Sequence, residues 1–332
     1  MAISAWATPP TSRAPKRSAR GPTSRHCLRA GSDQLPFGRP QSRRHLIRSL
    51  VGLTATWLSV ASATAAPQTV SFRSADARTV LVGYLFQPAT PGPWPAIVML
   101  HGRGGPYSSN VNAACTTVDA RSTSPCNAAT LSKRHRMWGE YWAAHGYLAL
   151  LPDSFGPRGK AHGFGRFTHG DPDRADVNEM TVRPLDAEGA LAYLRGRNDV
   201  IGRQIFLQGW SNGGSTALNI VIRQGDKTNG YRGSLVFYPG CGPAALLAPI
   251  VSTATPIAMF LGADDEEVSP ANCQRLAERS RQAGSRIDLT VYPGASHGFD
   301  EPSSKRQSLP ENRAAMNDAL VKAAADLERW KN

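Results

Sequence analysis

A serine flanked by two glycines marks a tight turn between a predicted strand and a predicted helix. Residues 209–213 read GWSNG, a G-x-S-x-G pattern, directly after an apolar run at 205–207 and directly before the helical apolar spacing of residues 215–222. A serine at such a strand-to-helix turn has strained backbone angles, and its hydroxyl projects above the edge of the sheet. Glycines stand at 209 and 213, where side chains would collide across the turn. The pattern therefore predicts a nucleophilic Ser211 at a strand end in an α/β protein.

An acid and a histidine follow Ser211, each just past the end of a predicted strand. Residues 256–262 form an apolar run ahead of Asp264 and Asp265, and residues 287–292 alternate as a strand ahead of His297. A serine is a poor nucleophile until a base takes its proton, and a carboxylate fixes the tautomer of that base. The order predicts a Ser–acid–His site. Only one of the two adjacent aspartates can face the imidazole, and their adjacency leaves the choice open.

A glycine-rich loop upstream supplies the fourth part of the predicted site. A buried strand is predicted directly before HGRGG at residues 101–105. Loops of this type give one backbone N–H to an oxyanion hole, and the residue after the serine gives the other. We predict Arg103 and Asn212 as the two donors, with Gly104 as the next choice in the loop. We expect His101 to hydrogen-bond locally rather than to act as a base.

Predicted strands and helices alternate along the chain after residue 66. The first two strands read as an edge hairpin, and the elements follow in this order: strands at 69–73, 80–86 and 96–100, a helix at 134–145, a strand at 147–151, a helix at 182–195, the turn around Ser211, a strand at 235–238, a strand at 256–262, a helix at 270–283, a strand at 287–292 and a helix at 310–330. The inward face of the first helix is predicted to hold Met137, Tyr141, Trp142 and His145. This alternation indicates a mainly parallel central sheet with helices on both faces.

Two long connections, at 105–133 and 152–181, leave the ends of predicted strands, where open α/β sheets bind ligands. Two side chains are candidate substrate contacts. Trp210, beside the nucleophile, either walls the acyl pocket or only packs. Arg158 either binds a substrate carboxylate through its guanidinium or orders its loop through an ion pair. No metal-site spacing is present, and the predicted chemistry needs neither a metal nor an organic cofactor.

The positive charge of the chain is concentrated at its start. Of the formal net charge of +13, residues 1–65 carry +9, because they hold ten basic residues and one acid. The remainder shows no basic stripe with interleaved aromatic residues. A nucleic-acid partner is therefore not expected.

The basic leader has the features of an export signal. Residues 42–48 read SRRHLIR and resemble the twin-arginine signal, and a weakly apolar stretch then leads to a small-x-small site at 63–65. We predict cleavage after Ala65 or Ala66, a periplasmic or secreted protein, and one catalytic domain at residues 66–332. An organellar transit peptide is the alternative. No charge-free apolar run reaches the roughly 18 residues of a membrane span, so no stable span is expected.

The cysteines fit an exported chain. Cys27 lies in the leader, and four cysteines remain, an even count that suggests two disulfides. Four cysteines allow three pairings. We favour Cys115–Cys126, which closes one loop, and Cys241–Cys273, which follow two neighbouring core strands. Buried free thiols are the alternative.

The motifs together resemble the dienelactone hydrolase family of α/β-hydrolases, over residues 70–330. The similarity rests on five segments: HGRGG at 101–105, DSFGPRG at 153–159, GWSNGG at 209–214, FYPGC at 237–241 and YPGASHGFD at 292–300. The resemblance implies the α/β-hydrolase fold and hydrolysis of a small-molecule ester or lactone through an acyl-enzyme. It also selects Asp265 as the acid, because residues 262–268 match the family spacing G-x-x-D-x-x-V.

One departure limits what the resemblance implies. The founding enzymes use a cysteine nucleophile, whereas this chain has Ser211, so dienelactone itself does not carry over as the substrate. Relatives with a serine include esterases and peptidases of the prolyl-oligopeptidase type. The sequence thus predicts a serine hydrolase of carboxylic esters, with a peptidase or amidase and a non-catalytic binding protein of the same fold as alternatives.

Overall fold

The computed structural model describes residues 66–120, 123–225 and 229–331. The predicted export signal with Arg43 and Arg44, the cleavage site after Ala65, and Cys27 lie outside the described residues. Within the described ranges, none of the helices is long and apolar enough to cross a membrane.

A single eight-stranded sheet forms the centre of the part that the structure describes. Its strands are β1 (Gln68–Arg73), β2 (Val80–Phe86), β3 (Trp94–Leu100), β4 (Leu148–Asp153), β5 (Val200–Trp210), β6 (Ser234–Phe237), β7 (Ile257–Gly262) and β8 (Ile287–Tyr292). They lie in the order β1-β2-β4-β3-β5-β6-β7-β8. The β1–β2 and β2–β4 pairs are antiparallel, and the other five are parallel. The predicted mainly parallel sheet is confirmed.

The first hairpin differs from its prediction in one respect. Asp76 closes the turn, because its Oδ1 accepts hydrogen bonds from the backbone N–H groups of Arg78 and Thr79, both at 2.8 Å. Of the two hairpin strands, however, only β1 lies at an edge of the sheet. Strand β2 also pairs with β4, and its residues after Val80 are buried. Alternating polarity in a hairpin shows which side faces the core, but it does not show whether a third strand adds to the pair.

Five helices of the described chain cover the two faces of the sheet: α1 (Lys133–Ala144), α2 (Arg183–Arg195), α3 (Asn212–Gln224), α4 (Pro270–Gln282) and α5 (Pro310–Trp330). Buried side chains of α1 and α5 share one apolar cluster with Ile97 and Met99 of β3. Those of α2, α3 and α4 share the other with Ala96 and Val98. Successive side chains of a strand point to opposite faces, so β3 supplies both clusters. The structure confirms the prediction of helices on both faces.

The inward face of α1 is rotated from the predicted one. Trp138 and Trp142 are fully buried, whereas His145 is exposed. A β-carbon at Gly139 would lie 2.4 Å from the ring of Phe86, so the helix packs closely on β2 at that glycine. Apolar residues occur on more than one side of this helix, and the two indoles four residues apart decide which side is buried.

Both predicted disulfide pairings are present. Cys115 joins Cys126 within the 105–133 connection, and Cys241, after β6, joins Cys273 in α4. The alternative of free thiols is not what the structure shows. Two disulfides are typical of proteins from oxidising compartments.

The parallel strands β3, β5, β6, β7 and β8 end at one edge of the sheet. The segments that carry the predicted catalytic and oxyanion-hole residues begin at the ends of β3, β5, β7 and β8. The fold therefore brings residues from four distant parts of the sequence to one edge of the sheet.

Candidate active site

Ser211 lies in the predicted turn between β5 and α3. Its φ of 52° and ψ of −117° are strained for a residue with a side chain. A β-carbon at Gly209 would lie 2.2 Å from the carbonyl oxygen of Gly213, and one at Gly213 would lie 2.1 Å from that of Leu100. The two glycines are therefore required by contacts of backbone with backbone. The structure matches the predicted strand-to-helix turn.

Asp265, not Asp264, faces the histidine. Nδ1 of His297 lies 2.8 Å from Oδ2 of Asp265. The other oxygen, Oδ1, accepts hydrogen bonds from the backbone N–H groups of Glu267 at 2.8 Å and Val268 at 2.9 Å. The side chain of Asp265 is almost fully buried, whereas Asp264 is exposed. The carboxylate is thus fixed from both sides, as an orienting acid requires.

The ring of His297 packs against Tyr238, with ring centroids 4.6 Å apart in an edge-to-face arrangement. The backbone N–H of His297 donates to Oε2 of Glu266 at 2.9 Å. Its Nε2 lies 3.7 Å from Oε2 of Glu267, and Glu267 lines the same cleft as Ser211. The free edge of the imidazole is therefore next to the cleft that contains the serine.

The two predicted oxyanion donors also belong to this cleft. Arg103 and Asn212 line it together with Ser211. A β-carbon at Gly102 would lie 3.6 Å from Cβ of Ser211, so the glycine-rich loop lies against the turn. Asn212 is the first residue of α3, where backbone N–H groups are unpaired within the helix and the helix dipole favours negative charge.

Both ring nitrogens of His101 bond to backbone groups, one of them next to it in the chain and the other 53 residues away. Its Nδ1 lies 2.8 Å from the carbonyl oxygen of Gly102, and its Nε2 accepts from the backbone N–H of Ser154 at 3.3 Å. Burial, and next to it the charge of Arg183, hold the pKa of His101 well below its usual range. The ring is therefore neutral, and Nδ1 carries the proton that it donates to Gly102.

Charged side chains that the sequence did not single out fix both donors. Arg103 bonds Glu267 through Nε and Nη2, at 2.9 to 3.1 Å, and donates to the carbonyl oxygen of Phe164 at 2.9 Å. The side-chain amide of Asn212 donates to Glu179 at 2.8 Å and accepts from Arg183. Glu179 and Arg183 lie far from the motifs in sequence, whereas Glu267 lies two residues after Asp265. For Arg183 a local signal was available, since it is a cation at the start of a predicted helix.

The long 152–181 connection forms one wall of the cleft, through Phe167, His169, Arg174 and Glu179. The space at Ser211 is narrow, about 30 Å³. It adjoins a wider cavity of about 280 Å³, and the two share His169, Arg174 and Glu179. The long connection therefore lies at the edge of the sheet that carries Ser211.

Trp210 does not contact the cleft, which corrects one predicted substrate contact. It is fully buried, its indole N–H donates to Oδ2 of Asp300 at 2.8 Å, and it packs against Trp138 and Phe237. The physical reason is the position of Trp210 as the last residue of β5, where its side chain points to the face of the sheet that α1 covers. Trp210 is a packing residue.

The structure also corrects the predicted substrate contact of Arg158. Its guanidinium forms a bidentate pair with Asp186, at 2.8 and 2.9 Å, lies 3.4 Å from Asp76, and donates to the carbonyl oxygen of Ser154 at 2.8 Å. Because its donors are engaged by these groups, it orders its own loop. Of the two roles considered for Arg158, the structure shows the ion pair that orders the loop.

Within the described residues, no three His, Cys, Asp or Glu side chains come together in an arrangement that could hold a metal ion.

Comparison with known proteins adds two findings. The family model of the dienelactone hydrolase family matches residues 130–329, more than half of the chain. Among solved structures, a dienelactone hydrolase-like promiscuous phosphotriesterase from metagenomic libraries is 17% identical with a TM-score of 0.55, over 80% of this chain and 99% of that chain. The apo form of esterase 2 from Thermogutta terrifontis is 20% identical with a TM-score of 0.54, over 80% and 95%. This likeness shows the predicted α/β-hydrolase fold.

Proposed function

The chain belongs to the dienelactone hydrolase family, and we propose that it hydrolyses carboxylic esters or lactones through an acyl-enzyme on Ser211. His297 is the general base and Asp265 the acid that orients it. The backbone N–H groups of Arg103 and Asn212 form the oxyanion hole. The substrate is a small molecule.

One observation carries this proposal. The imidazole of His297 is fixed by Asp265 at 2.8 Å, at the same sheet edge as a serine in a strained turn. A histidine held by a buried carboxylate beside a strained serine is the arrangement that acyl transfer needs. A serine that served only to pack the chain would not require these backbone angles.

The proposed reaction has two halves. In the first, Oγ of Ser211 attacks the ester carbonyl carbon while Nε2 of His297 takes the hydroxyl proton. The negative charge on the carbonyl oxygen is held by the two backbone donors. As the intermediate collapses, the C–O bond to the alcohol breaks, and His297 returns its proton to the leaving oxygen.

In the second half, a water molecule attacks the acyl-enzyme. Nε2 of His297 takes one proton from the water and then gives it to Oγ of Ser211 as the acid departs. Asp265 keeps the proton on Nδ1 throughout, so Nε2 is the nitrogen that is free to accept. The residues named so far account for every proton transfer in the cycle.

The named relatives support an ester-type substrate. The two structures compared above are an esterase and a dienelactone hydrolase-like phosphotriesterase by their names. Both names describe hydrolysis at an ester centre, of carbon or of phosphorus. With Ser211 in place of cysteine, we propose simple carboxylic esters rather than dienelactone as the substrates.

We further propose that residues 1–65 are an export signal and that the catalytic domain at 66–332 works outside the cytoplasm. The two disulfides support an oxidising destination.

The test of the proposed function uses a fluorophosphonate probe and a panel of p-nitrophenyl esters, lactones and acylated sugars. We expect the probe to label Ser211, as mapped by peptide mass spectrometry, and we expect ester turnover that Ser211→Ala abolishes. An unlabelled Ser211 would favour the non-catalytic alternative. Faster turnover of peptidyl anilides than of any ester would favour the peptidase.

A further inference from the structure

Arg183 connects the two halves of the proposed oxyanion hole. It is the first residue of α2 and is fully buried. Its Nη1 donates to the side-chain oxygen of Asn212, and its Nη2 donates to the backbone carbonyl of His101 at 2.7 Å. Asn212 carries one proposed donor, and His101 opens the loop that carries the other. One guanidinium therefore bonds to both sides of the site.

The carbonyl oxygen of His101, which accepts the hydrogen bond from Arg183, is closely packed by its neighbours. A β-carbon at Gly213 would lie 2.6 Å from the carbonyl oxygen of His101, so this oxygen lies against the first turn of α3. The ring of Phe155 packs on His101, with centroids 4.5 Å apart, and the guanidinium of Arg183 lies 5.2 Å from that ring. The peptide that leads into the glycine-rich loop is thus held from two directions.

The contact at Asn212 is completed from the long connection. The amide nitrogen of Asn212 donates to Glu179 at 2.8 Å, while its oxygen accepts from Arg183. Asn219 fixes the backbone of Glu179 through its own amide at 2.9 Å. Both ends of the Asn212 amide are therefore bonded to charged partners, which restricts the residue to one orientation.

The position of Arg183 is unfavourable for folding alone. A cation at the first residue of a helix opposes the helix dipole, and a fully buried charge carries a desolvation cost. Burial lowers the pKa of Arg183 to about 10, which leaves the guanidinium charged at neutral pH. Departures from local folding rules of this kind are concentrated at functional sites.

We infer that Arg183 is a positioning residue that sets the geometry of the oxyanion hole. The inference rests on the proposed function, because it assigns the hole to Asn212 and the loop after His101. Arg183 acts through these two residues and does not touch the substrate. A guanidinium suits the task because its planar fork presents two N–H groups in fixed directions, whereas a lysine ammonium is a single point on a flexible stem.

The experiment compares Arg183→Lys with Arg158→Lys in the full-length protein. Arg158 is a matched control: it is another largely buried guanidinium, with 11% of its side chain exposed, and its hydrogen bonds go to Ser154, Asp186, Asp76 and Thr79. Active sites are titrated with the fluorophosphonate, so that kcat is expressed per working serine. We expect Arg183→Lys to lower kcat roughly 10- to 100-fold with KM within about threefold, because a small misplacement of donors acts mainly on the transition state. Arg158→Lys should leave both within about twofold.

A double-mutant cycle separates positioning from simple stabilisation. Asn212→Ala keeps the backbone N–H but removes the amide that Arg183 holds, and we expect a smaller loss of kcat in the same direction. In the double variant, the fold-loss of kcat should be smaller than the product of the two single fold-losses. Losses that multiply, or an unchanged kcat per titrated site in Arg183→Lys, would overturn the inference. If Arg183→Lys does not fold, the result for Asn212→Ala decides the question. An unchanged kcat in Asn212→Ala would then reject the positioning role of Arg183.

The rate of fluorophosphonate labelling keeps this test separate from the proposed function. The phosphonyl oxygen occupies the same hole as a carbonyl oxygen, so the variants rank in the same order by labelling rate. If the wild type is labelled but cleaves no ester of the panel, the proposed function fails. The role of Arg183 is then decided by the labelling rates.

Discussion

The indole N–H of Trp210 donates to the carboxylate of Asp300 at 2.8 Å, which links the residue before Ser211 to the segment after His297. The same carboxylate accepts from the indole of Trp138 at 2.8 Å and from the hydroxyl of Tyr238, and it lies 3.2 Å from Nε of Arg134. Asp300 is fully buried. A single carboxylate therefore ties α1, the turn at Ser211, the end of β6 and the histidine loop together.

Replacing Asp300 tests that link. In Asp300→Asn the amide nitrogen cannot accept a hydrogen bond, and the charge opposite Arg134 is lost. Breaking a buried ion pair on one side typically costs about 3–5 kcal/mol, so we expect the free energy of unfolding in urea to fall by an amount of that order. Asp288→Asn is the control, because Asp288 pairs with Arg329 on the surface, with both side chains more than half exposed. An equal loss in both variants would contradict the assignment.

The choice between adjacent aspartates gives a prediction about turnover. Asp265→Asn keeps the shape of the side chain but favours the wrong tautomer of His297, a change that lowers kcat by roughly 10⁴-fold in serine proteases. We expect a loss of that order for Asp265→Asn and a change within about twofold for Asp264→Asn, which alters an exposed side chain. The measurement is kcat on a p-nitrophenyl ester at neutral pH. The reverse ranking would remove Asp265 from the proposed triad.

The parts of the site that sequence could predict are those fixed by local backbone geometry. Ser211 was predictable because the glycines at 209 and 213 are forced by contacts below 2.5 Å, and such contacts leave a spaced pattern in the sequence. His297 was predictable because its short motif, at 292–300, directly follows a strand that alternating polarity reveals. The pairing of Cys115 with Cys126 follows from their closeness in the chain.

The parts that sequence could not predict depend on partners distant in the chain. Arg183 and Asn212 are 29 residues apart, and Trp210 and Asp300 are 90 apart. No periodic pattern connects such positions, because each pair meets only when the sheet is complete. Trp210 and Arg158 were placed near substrate for the same reason: their actual partners, Asp300 and Asp186, cannot be identified from neighbours in sequence.

The disulfides give a prediction about stability. The Cys115–Cys126 and Cys241–Cys273 bridges span sequence separations of 11 and 32 residues. In the chain-entropy model, loops of these sizes stabilise the folded state by about 3 and about 4 kcal/mol. We expect each double-serine variant to lose an amount of that order in urea unfolding. Mass spectrometry with an alkylating reagent should find none of the four thiols free in protein from an oxidising compartment.

The leader gives a prediction about export, on residues outside those that the structure describes. Replacing Arg43-Arg44 with Lys-Lys should leave precursor in the cytoplasm, because the twin-arginine route reads the arginine pair. N-terminal sequencing of the exported protein should begin after Ala65 or Ala66. Normal export of the variant, or a mature terminus well before residue 60, would contradict the prediction. The proposed site is independent of that result, since its residues all lie after position 100.

Buried His135 predicts a loss of stability in mild acid. Burial, and next to it the charge of Arg134, lower the pKa of His135 from 6.5 to about 4, against the opposing effect of its bond to the carbonyl of Pro106. Between pH 6.5 and 4 the unfolded chain therefore binds a proton that the folded protein does not, so this contribution to stability falls as the pH falls. A difference of this size corresponds to roughly 3 kcal/mol.

His135→Asn keeps a donor toward Pro106 and cannot titrate. Urea unfolding at several pH values between 4 and 7 should therefore show a flatter pH dependence for the variant than for the wild type, and parallel curves would show that His135 is not the group responsible.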